Sequence, residues 1–287
     1  MKKWVILFVL IVLLGAGGSH YLKESVGDAL RIEDGKALET FSRKDGIAIH
    51  VTEEQIYEGN LLLVNREHPV HQQGVKSDVV NLSQHEELMQ GYGLLDNTIR
   101  LSESVAQKFL TMVDAANQDG VNHFLISSGY RDEMEQEQLY QEMGADVALP
   151  AGYSEHNLGL SLDIGSSEGQ MGQAPEGKWL KENAWKYGFI LRYPEDKTAI
   201  TGIEYEPWHF RYVGLPHSMI MLEKGFALEE YLNYLKEKRY ISATIDGEEY
   251  EIAYYPVVIR TSIHVPANRD YEISGNNMDG VIVTVNP

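Results

Sequence analysis

Cysteine is absent from all 287 residues. That excludes thiolate metal sites, cysteine nucleophiles and disulfides, and with them a lipid-modified N-terminal cysteine. Basic charge is scarce too: 24 Lys and Arg stand against 43 Asp and Glu, for a formal net charge of -19. So acidic a chain lacks the basic face that a phosphate backbone requires, which argues against a nucleic-acid partner. The surplus acid reads as a solubilising surface. Long apolar runs are nearly missing as well, and nothing later in the chain is as continuously apolar as Trp4 to Leu14.

That run follows Met1-Lys2-Lys3 and precedes Gly15-Ala16-Gly17-Gly18-Ser19, the basic, apolar and small-residue order of a signal peptide. Extended to Leu22 it reaches the roughly 17–25 residues that cross a bilayer once as a helix. The two lysines would hold its start inside and send the rest outside. Residues 1–22 are therefore expected to be a signal peptide or membrane anchor, with the remainder extracytoplasmic.

What is present is an ordinary core-forming composition, 43% hydrophobic and 10% aromatic. Residues 23–52 mix glycines and charges without sustained periodicity and read as a linker. From residue 53 to 239 helical and strand periods alternate. Ser102 caps a helix whose Val105, Phe109, Leu110, Val113 and Ala116 recur at helical spacing, and Gly120 ends it. Phe124-Leu125-Ile126 reads as a buried strand, and Asp132 with Glu135 as the cap of a second helix. From Tyr240 the period is that of strands, with an Asp246-Gly247 hairpin turn. The expected fold is α+β: a small antiparallel sheet flanked by helices around a metal site, followed by an all-β module over residues 240–287.

Two stretches carry the candidate chemistry. In Leu158-Gly159-Leu160-Ser161-Leu162-Asp163-Ile164 the apolar residues alternate, so Asp163 points to the face opposite them, and His156 sits in the loop just before. Glu206-Pro207-Trp208-His209-Phe210-Arg211 supplies a second histidine, with Trp208 turned to the other face and expected to pack. His156, Asp163 and His209 could hold one divalent metal and leave a fourth position for water. Glu206, three residues before His209, is then the spare acid, placed for general-base work. Arg131 lies between a strand end and a helix start, where its paired donors can hold a carboxylate or polarise a carbonyl. Ser154 stands beside a turn, where a serine also serves as a backbone cap. His217, near His209 in sequence, has no motif context of a ligand and reads as a cap or surface residue.

Taken together, Ser127-Ser128-Gly129-Tyr130-Arg131, Gln136, Ser154-Glu155-His156-Asn157-Leu158-Gly159, Asp163, Tyr193-Pro194 and Glu206-Pro207-Trp208-His209 resemble the zinc-dependent VanY-type D-alanyl-D-alanine carboxypeptidases. The likeness spans about residues 53 to 238 and is dense from 120 to 216. It implies zinc as the metal, held by His156, Asp163 and His209, and Glu206 as the base. It also implies an Arg131 that contacts the substrate, with Ser154 and Gln136 holding its terminal residue or stem. The implied reaction is hydrolysis of the C-terminal D-Ala from peptidoglycan stem peptides ending in D-Ala-D-Ala, which contributes to glycopeptide resistance.

The same apparatus with a different pocket would give an L,D-carboxypeptidase that trims tetrapeptides. A non-catalytic, membrane-tethered wall-binding module is the reading from another class, and Glu206 argues against it, because binding needs no spare base. Serine catalysis is disfavoured, since neither Ser127 nor Ser154 lies in a Ser-x-x-Lys or Gly-x-Ser-x-Gly context.

Overall fold

The structure is a computed structural model that describes residues 30–34, 46–144 and 148–287. The proposed signal or anchor, residues 1–22, lies outside the described residues; within them no helix is long and apolar enough to cross a membrane.

The chain enters as two strands, β1 (Leu30–Asp34) and β2 (Gly46–Thr52). Both fall in the stretch expected to be linker, and both are ordered by partners some two hundred residues away. Three short strands follow, β3 (Val79–Asn81), β4 (Gly93–Leu94) and β5 (Arg100–Ser102). Helix α1 (Glu103–Gln118) starts where the Ser102 hydroxyl accepts the Val105 N–H. Strand β6 (Phe124–Ser128) leads to α2 (Glu133–Met143), which opens with a reciprocal Asp132–Glu135 capping box. Strand β7 (Ser161–Ser166), α3 (Pro175–Asn183), β8 (Phe189–Leu191), a one-turn α4 (Thr198–Thr201) and β9 (His209–Tyr212) complete the central part.

These strands form a five-stranded sheet in the order β4-β6-β7-β9-β8. Its β4–β6 pair is parallel and the others antiparallel, so the sheet is mixed rather than wholly antiparallel. One face is the core: Leu160, Leu162, Ile164 and Phe210 pack with Val105, Phe109 and Met112 of α1. Burying such large side chains contributes roughly 1.5–3 kcal/mol each. The other face carries Ser161, Asp163, His209 and Arg211, because successive strand residues alternate sides. Pro207 lies just outside β9, which lets β9 pair on both sides without a missing donor.

Helices α5 (His217–Lys224) and α6 (Leu228–Lys238) then lead into β10 (Tyr240–Ile245), β11 (Glu248–Pro256), β12 (Arg260–Pro266), β13 (Tyr271–Gly275) and β14 (Gly280–Val285). The β10–β11 turn is Asp246-Gly247, both at positive φ (51° and 88°), the conformation of the favoured two-residue hairpin.

The second sheet has the order β1-β10-β11-β14-β13, and β12 pairs separately with β2. Both faces of this sheet are covered. Ile241, Ile252, Tyr254 and Ile282 pack against Tyr231, Leu232 and Leu235 of α6. Tyr255, Val281 and Val283 pack against Val51 and Ile263 of the β2–β12 ribbon. The β module thus includes residues from both ends of the described chain and shares a core with α5 and α6.

His217 is buried at the centre of this joint. Its Nδ1 lies 2.7 Å from the Tyr231 hydroxyl and its Nε2 2.9 Å from Thr284 Oγ1, so the expected cap or surface role does not hold. Burial pushes its imidazole down to about 3. Trp208, expected to pack, is 42% exposed.

Candidate active site

The register of the central sheet sets Asp163 of β7 directly opposite His209 of β9. A cross-strand pair of this kind brings its Cβ atoms to about 4.5–5.5 Å on one face. His156 reaches the same point from a short 3-10 turn, Glu155–Leu158, which the Ser154 hydroxyl caps by accepting the His156 N–H and which Gly159 ends in the left-handed region at φ 81°. The three residues offer ligand atoms that all lie within 4.8 Å of one another. His156 Nε2 is 3.4 Å from Asp163 Oδ2, and His209 Nδ1 is 3.0 Å from Asp163 Oδ1.

The far side of each imidazole is also engaged. His156 Nδ1 donates to the Gly129 carbonyl at 2.6 Å, which leaves Nε2 as the lone-pair nitrogen facing Asp163. His209 Nε2 faces Glu155 Oε2 at 3.5 Å, which leaves Nδ1 facing the ligand cluster. Two imidazoles, each engaged from behind, and one carboxylate suit a catalytic zinc. Among the described residues no other set of three or more His, Cys, Asp or Glu converges in this way.

Electrostatics favour a cation there. Burial would raise the Asp163 carboxyl, but His156 and His209 outweigh it and hold it well below the usual carboxylate range. Burial would lower His209, but Asp163 and Glu155 overcome that and push it up to about 9. Glu206 is half-buried with Oε2 3.9 Å from His209 Nδ1. Desolvation raises its carboxyl against the pull of His209, while the neighbouring Asp163 charge adds to the rise and Arg131 opposes it.

Arg131 follows the end of β6 and is held by its own neighbours. Its Nε donates to Gln136 Oε1 at 2.9 Å and its Nη1 to Ser128 Oγ at 2.6 Å. Burial pulls the guanidinium below its ordinary value while Asp163 and Glu206 draw it back up; arginine remains a cation at neutral pH. Gln136 is itself buried, and its Nε2 donates to the Leu149 carbonyl at 2.6 Å, so both ends of its amide are spent on protein. The Ser154 hydroxyl, likewise buried, takes the backbone-cap role.

Sequence reasoning passed over Glu155, Arg192 and Arg211. Glu155 is fully buried and receives Arg192 Nε at 2.8 Å and Ser161 Oγ at 3.2 Å, with Arg211 Nη1 2.8 Å from its Oε1. Burial would raise its carboxyl, but the two guanidinium groups hold it well below the usual range. Arg192 also grips Glu229 of α6 through two parallel bonds of 3.0 and 2.7 Å. A charged residue beside a ligand reads in sequence as solvated surface, and its partners lie tens of residues away; the available signal was the arginine on the same strand face as His209.

Comparison with known proteins agrees with this geometry. The VanY family model, described as D-alanyl-D-alanine carboxypeptidase, matches residues 98–215. A D-alanyl-D-alanine carboxypeptidase of Enterococcus faecium is 68% identical over 237 residues, which is 83% of this chain and 78% of that protein. This chain belongs to the VanY family of D-alanyl-D-alanine carboxypeptidases. It is therefore a zinc metallopeptidase, and the His156, Asp163 and His209 set fits that metal.

Among solved structures of relatives, the vancomycin-resistance D,D-dipeptidase VanXYg, in complex with a D-Ala-D-Ala phosphinate analogue, matches with a TM-score of 0.73 at 34% identity. That match covers 84% of this chain and 99% of the other, more than residues 53–239 alone could supply. A variant of the D,D-pentapeptidase VanY from a VanB-type resistance cassette, in complex with Zn(II), matches with a TM-score of 0.51 at 32% identity, over 61% of this chain and 100% of the other. The VanY likeness thus reaches the central sheet and its site, and the VanXYg likeness extends beyond it.

Proposed function

We propose that this chain removes the C-terminal D-alanine from peptidoglycan stem peptides ending in D-Ala-D-Ala, and so contributes to glycopeptide resistance outside the cytoplasmic membrane. The observation that carries the reading is a spare carboxylate: Glu206, beyond the two histidines and one aspartate that suffice to hold a metal, stands 3.9 Å from the metal-facing nitrogen of His209. Binding alone has no use for it, and hydrolysis does.

His156, Asp163 and His209 would hold the zinc, which would supply the Lewis acidity that makes water nucleophilic near neutral pH. Glu206 takes the proton from the attacking water and returns it to the leaving amine, and desolvation of its carboxyl suits that exchange by raising its affinity for the proton. Arg131, with Nε and Nη1 held by Gln136 and Ser128, offers Nη2 to the scissile carbonyl oxygen. A fixed cation there acts most on the charge that develops in the transition state. Residues 1–22, outside the described part, would carry the enzyme across or into the membrane. A structural neighbour that is a D,D-dipeptidase makes free D-Ala-D-Ala the second substrate to test.

Release of D-alanine is measured from a pentapeptide ending in L-Lys-D-Ala-D-Ala, a tetrapeptide ending in one D-Ala, and the free dipeptide, with wild type and Glu206→Gln each carrying about one zinc. Turnover of the pentapeptide by wild type, and its loss in the zinc-loaded variant, is the expected result. A folded, zinc-loaded wild type that cleaves only the tetrapeptide makes this an L,D-carboxypeptidase, and one that cleaves none of the three overturns the reading.

A further inference from the structure

The two imidazoles of the metal site are oriented from behind in different ways. His156 gives its rear N–H to a backbone carbonyl, Gly129, a partner that no side-chain substitution removes. His209 turns its rear nitrogen to a side chain, the Glu155 carboxylate at 3.5 Å. We infer that Glu155 is a positioning residue for the metal site, whose carboxylate accepts the Nε2–H of His209 and thereby keeps Nδ1 as the nitrogen that faces the metal.

Three features of the structure carry this. Glu155 is adjacent in sequence to His156, so one short turn, Glu155–Leu158, delivers a ligand with one residue and braces the opposite ligand with the other. The Glu155 side chain is fully buried, and its two oxygens have divided tasks: Oε1 faces Arg192 Nε and Arg211 Nη1, both at 2.8 Å, while Oε2 faces Ser161 Oγ and His209 Nε2. The arginines in turn are anchored elsewhere. Arg192 is gripped by Glu229 of α6, and Arg211 Nη2 donates to the carbonyls of Asn60 and Leu62, each at 3.0 Å. The carboxylate is therefore fixed from three directions, and a second partner that orients a metal-bound imidazole commonly governs metal affinity.

The division of the oxygens makes a specific substitution informative. In Glu155→Gln the single amide oxygen is drawn to the two guanidinium groups, which leaves the NH2 group against His209 Nε2–H. Donor then meets donor, and the relief is transfer of the ring proton to Nδ1, the nitrogen needed for the metal. The inference rests on His209 being a metal ligand.

The test uses the full chain. Zinc affinity is measured by chelator competition, the visible spectrum after cobalt substitution, and the histidine tautomers by long-range proton–nitrogen spectra. Wild type is expected to hold zinc with His209 protonated at Nε2. Glu155→Gln is expected to lose about 10–100-fold in zinc affinity and to shift the cobalt bands. Glu229→Gln, which loosens only the outer end of the network at a side chain 12% exposed, is expected to keep both within about threefold of wild type.

Equal losses of affinity in the two variants, tracking their stability, would reduce Glu155 to charge compensation in the core and overturn the inference. An unchanged Glu155→Gln does the same. Should Glu155→Gln fail to fold, the Nε2–H resonance of His209 in the zinc-loaded wild type decides: a proton shifted downfield and protected from exchange, as a carboxylate acceptor makes it, upholds the inference, and one at the position of an imidazole N–H without such an acceptor overturns it. A folded wild type that retains no zinc fails earlier, and sinks the metal assignment itself.

Discussion

Gln136 accepts the Arg131 Nε–H at 2.9 Å. The glutamine that motif likeness places against the substrate is thus joined to the arginine five residues before it, and its remaining amide group is tied to Leu149. The guanidinium is aimed before any ligand arrives, which is what a group acting on developing charge requires.

Arg131→Ala should lower kcat by about 10²–10³, the cost of removing one fixed donor from a developing oxyanion. Arg131→Lys should recover little, because an ammonium cannot keep the Gln136 and Ser128 bonds and still present a donor. Gln136→Ala should cost about tenfold, in line with loss of one hydrogen bond to a charged group. Steady-state kinetics on the D-Ala-D-Ala pentapeptide measure all three; a Gln136→Ala enzyme worse than Arg131→Ala would reverse the assigned order of roles.

Zinc must compete with a proton. In the metal-free protein Asp163 and Glu155 overcome burial and push His209 up to about 9, so at pH 7 its metal-facing side is protonated. Binding zinc at pH 7 should release about one proton, and apparent affinity should weaken by up to about tenfold per unit as pH falls from 8 to 6. Calorimetry in two buffers of different ionisation enthalpy counts the protons. A count of zero would show that His209 is already neutral in the apo site.

His217 sets a different pH dependence, one of folding. Its native pKa is pushed down to about 3 by burial, whereas in the unfolded chain it titrates near 6.5. Between those values the unfolded state binds the extra proton, so its contribution is complete above about pH 6.5 and is lost as pH falls towards 3, at up to about 1.4 kcal/mol per unit. Urea unfolding of wild type and His217→Gln at pH 7.5 and pH 5 should show a gap that narrows at the lower pH. A gap that widens would mean the imidazole is protonated in the fold.

Truncation after Arg239 should leave a chain that does not fold. It strips Ile241, Ile252, Tyr254 and Ile282 from the core they share with Tyr231, Leu232 and Leu235, exposing three fully buried side chains of α6 at once. Circular dichroism and sedimentation of the 30–239 fragment check this. A soluble monomer with cooperative melting would make residues 240–287 a dispensable appendage.

The parts legible in the sequence were those whose signal is local. Val105, Phe109 and Val113 repeat at helical spacing, and α1 lies where that spacing puts it. Leucines 158, 160 and 162 alternate, which set Asp163 on the polar face before its partner strand was known. The parts that were not legible depend on partners far away. Arg31 and Glu33 give β1 the look of a charged linker, and only pairing with β10 makes it a strand. Tyr271–Gly275 is too polar to declare itself as β13. Glu155 and His217 look like surface residues until Arg192 and Arg211, or Tyr231 and Thr284, close around them.

The pairing of β1 with β10 joins Leu30 to Ile245, and that of β2 with β12 joins Thr52 to Arg260. Order of synthesis then matters. The residues that bear the metal site emerge complete, with their own sheet and α1, while the first two strands still have no edge to join. Those strands wait through some two hundred residues of translation, and contacts so distant in sequence close slowly. The second sheet is accordingly assembled last, from the two ends of the described chain, and until it closes α6 has no cover for Tyr231, Leu232 and Leu235.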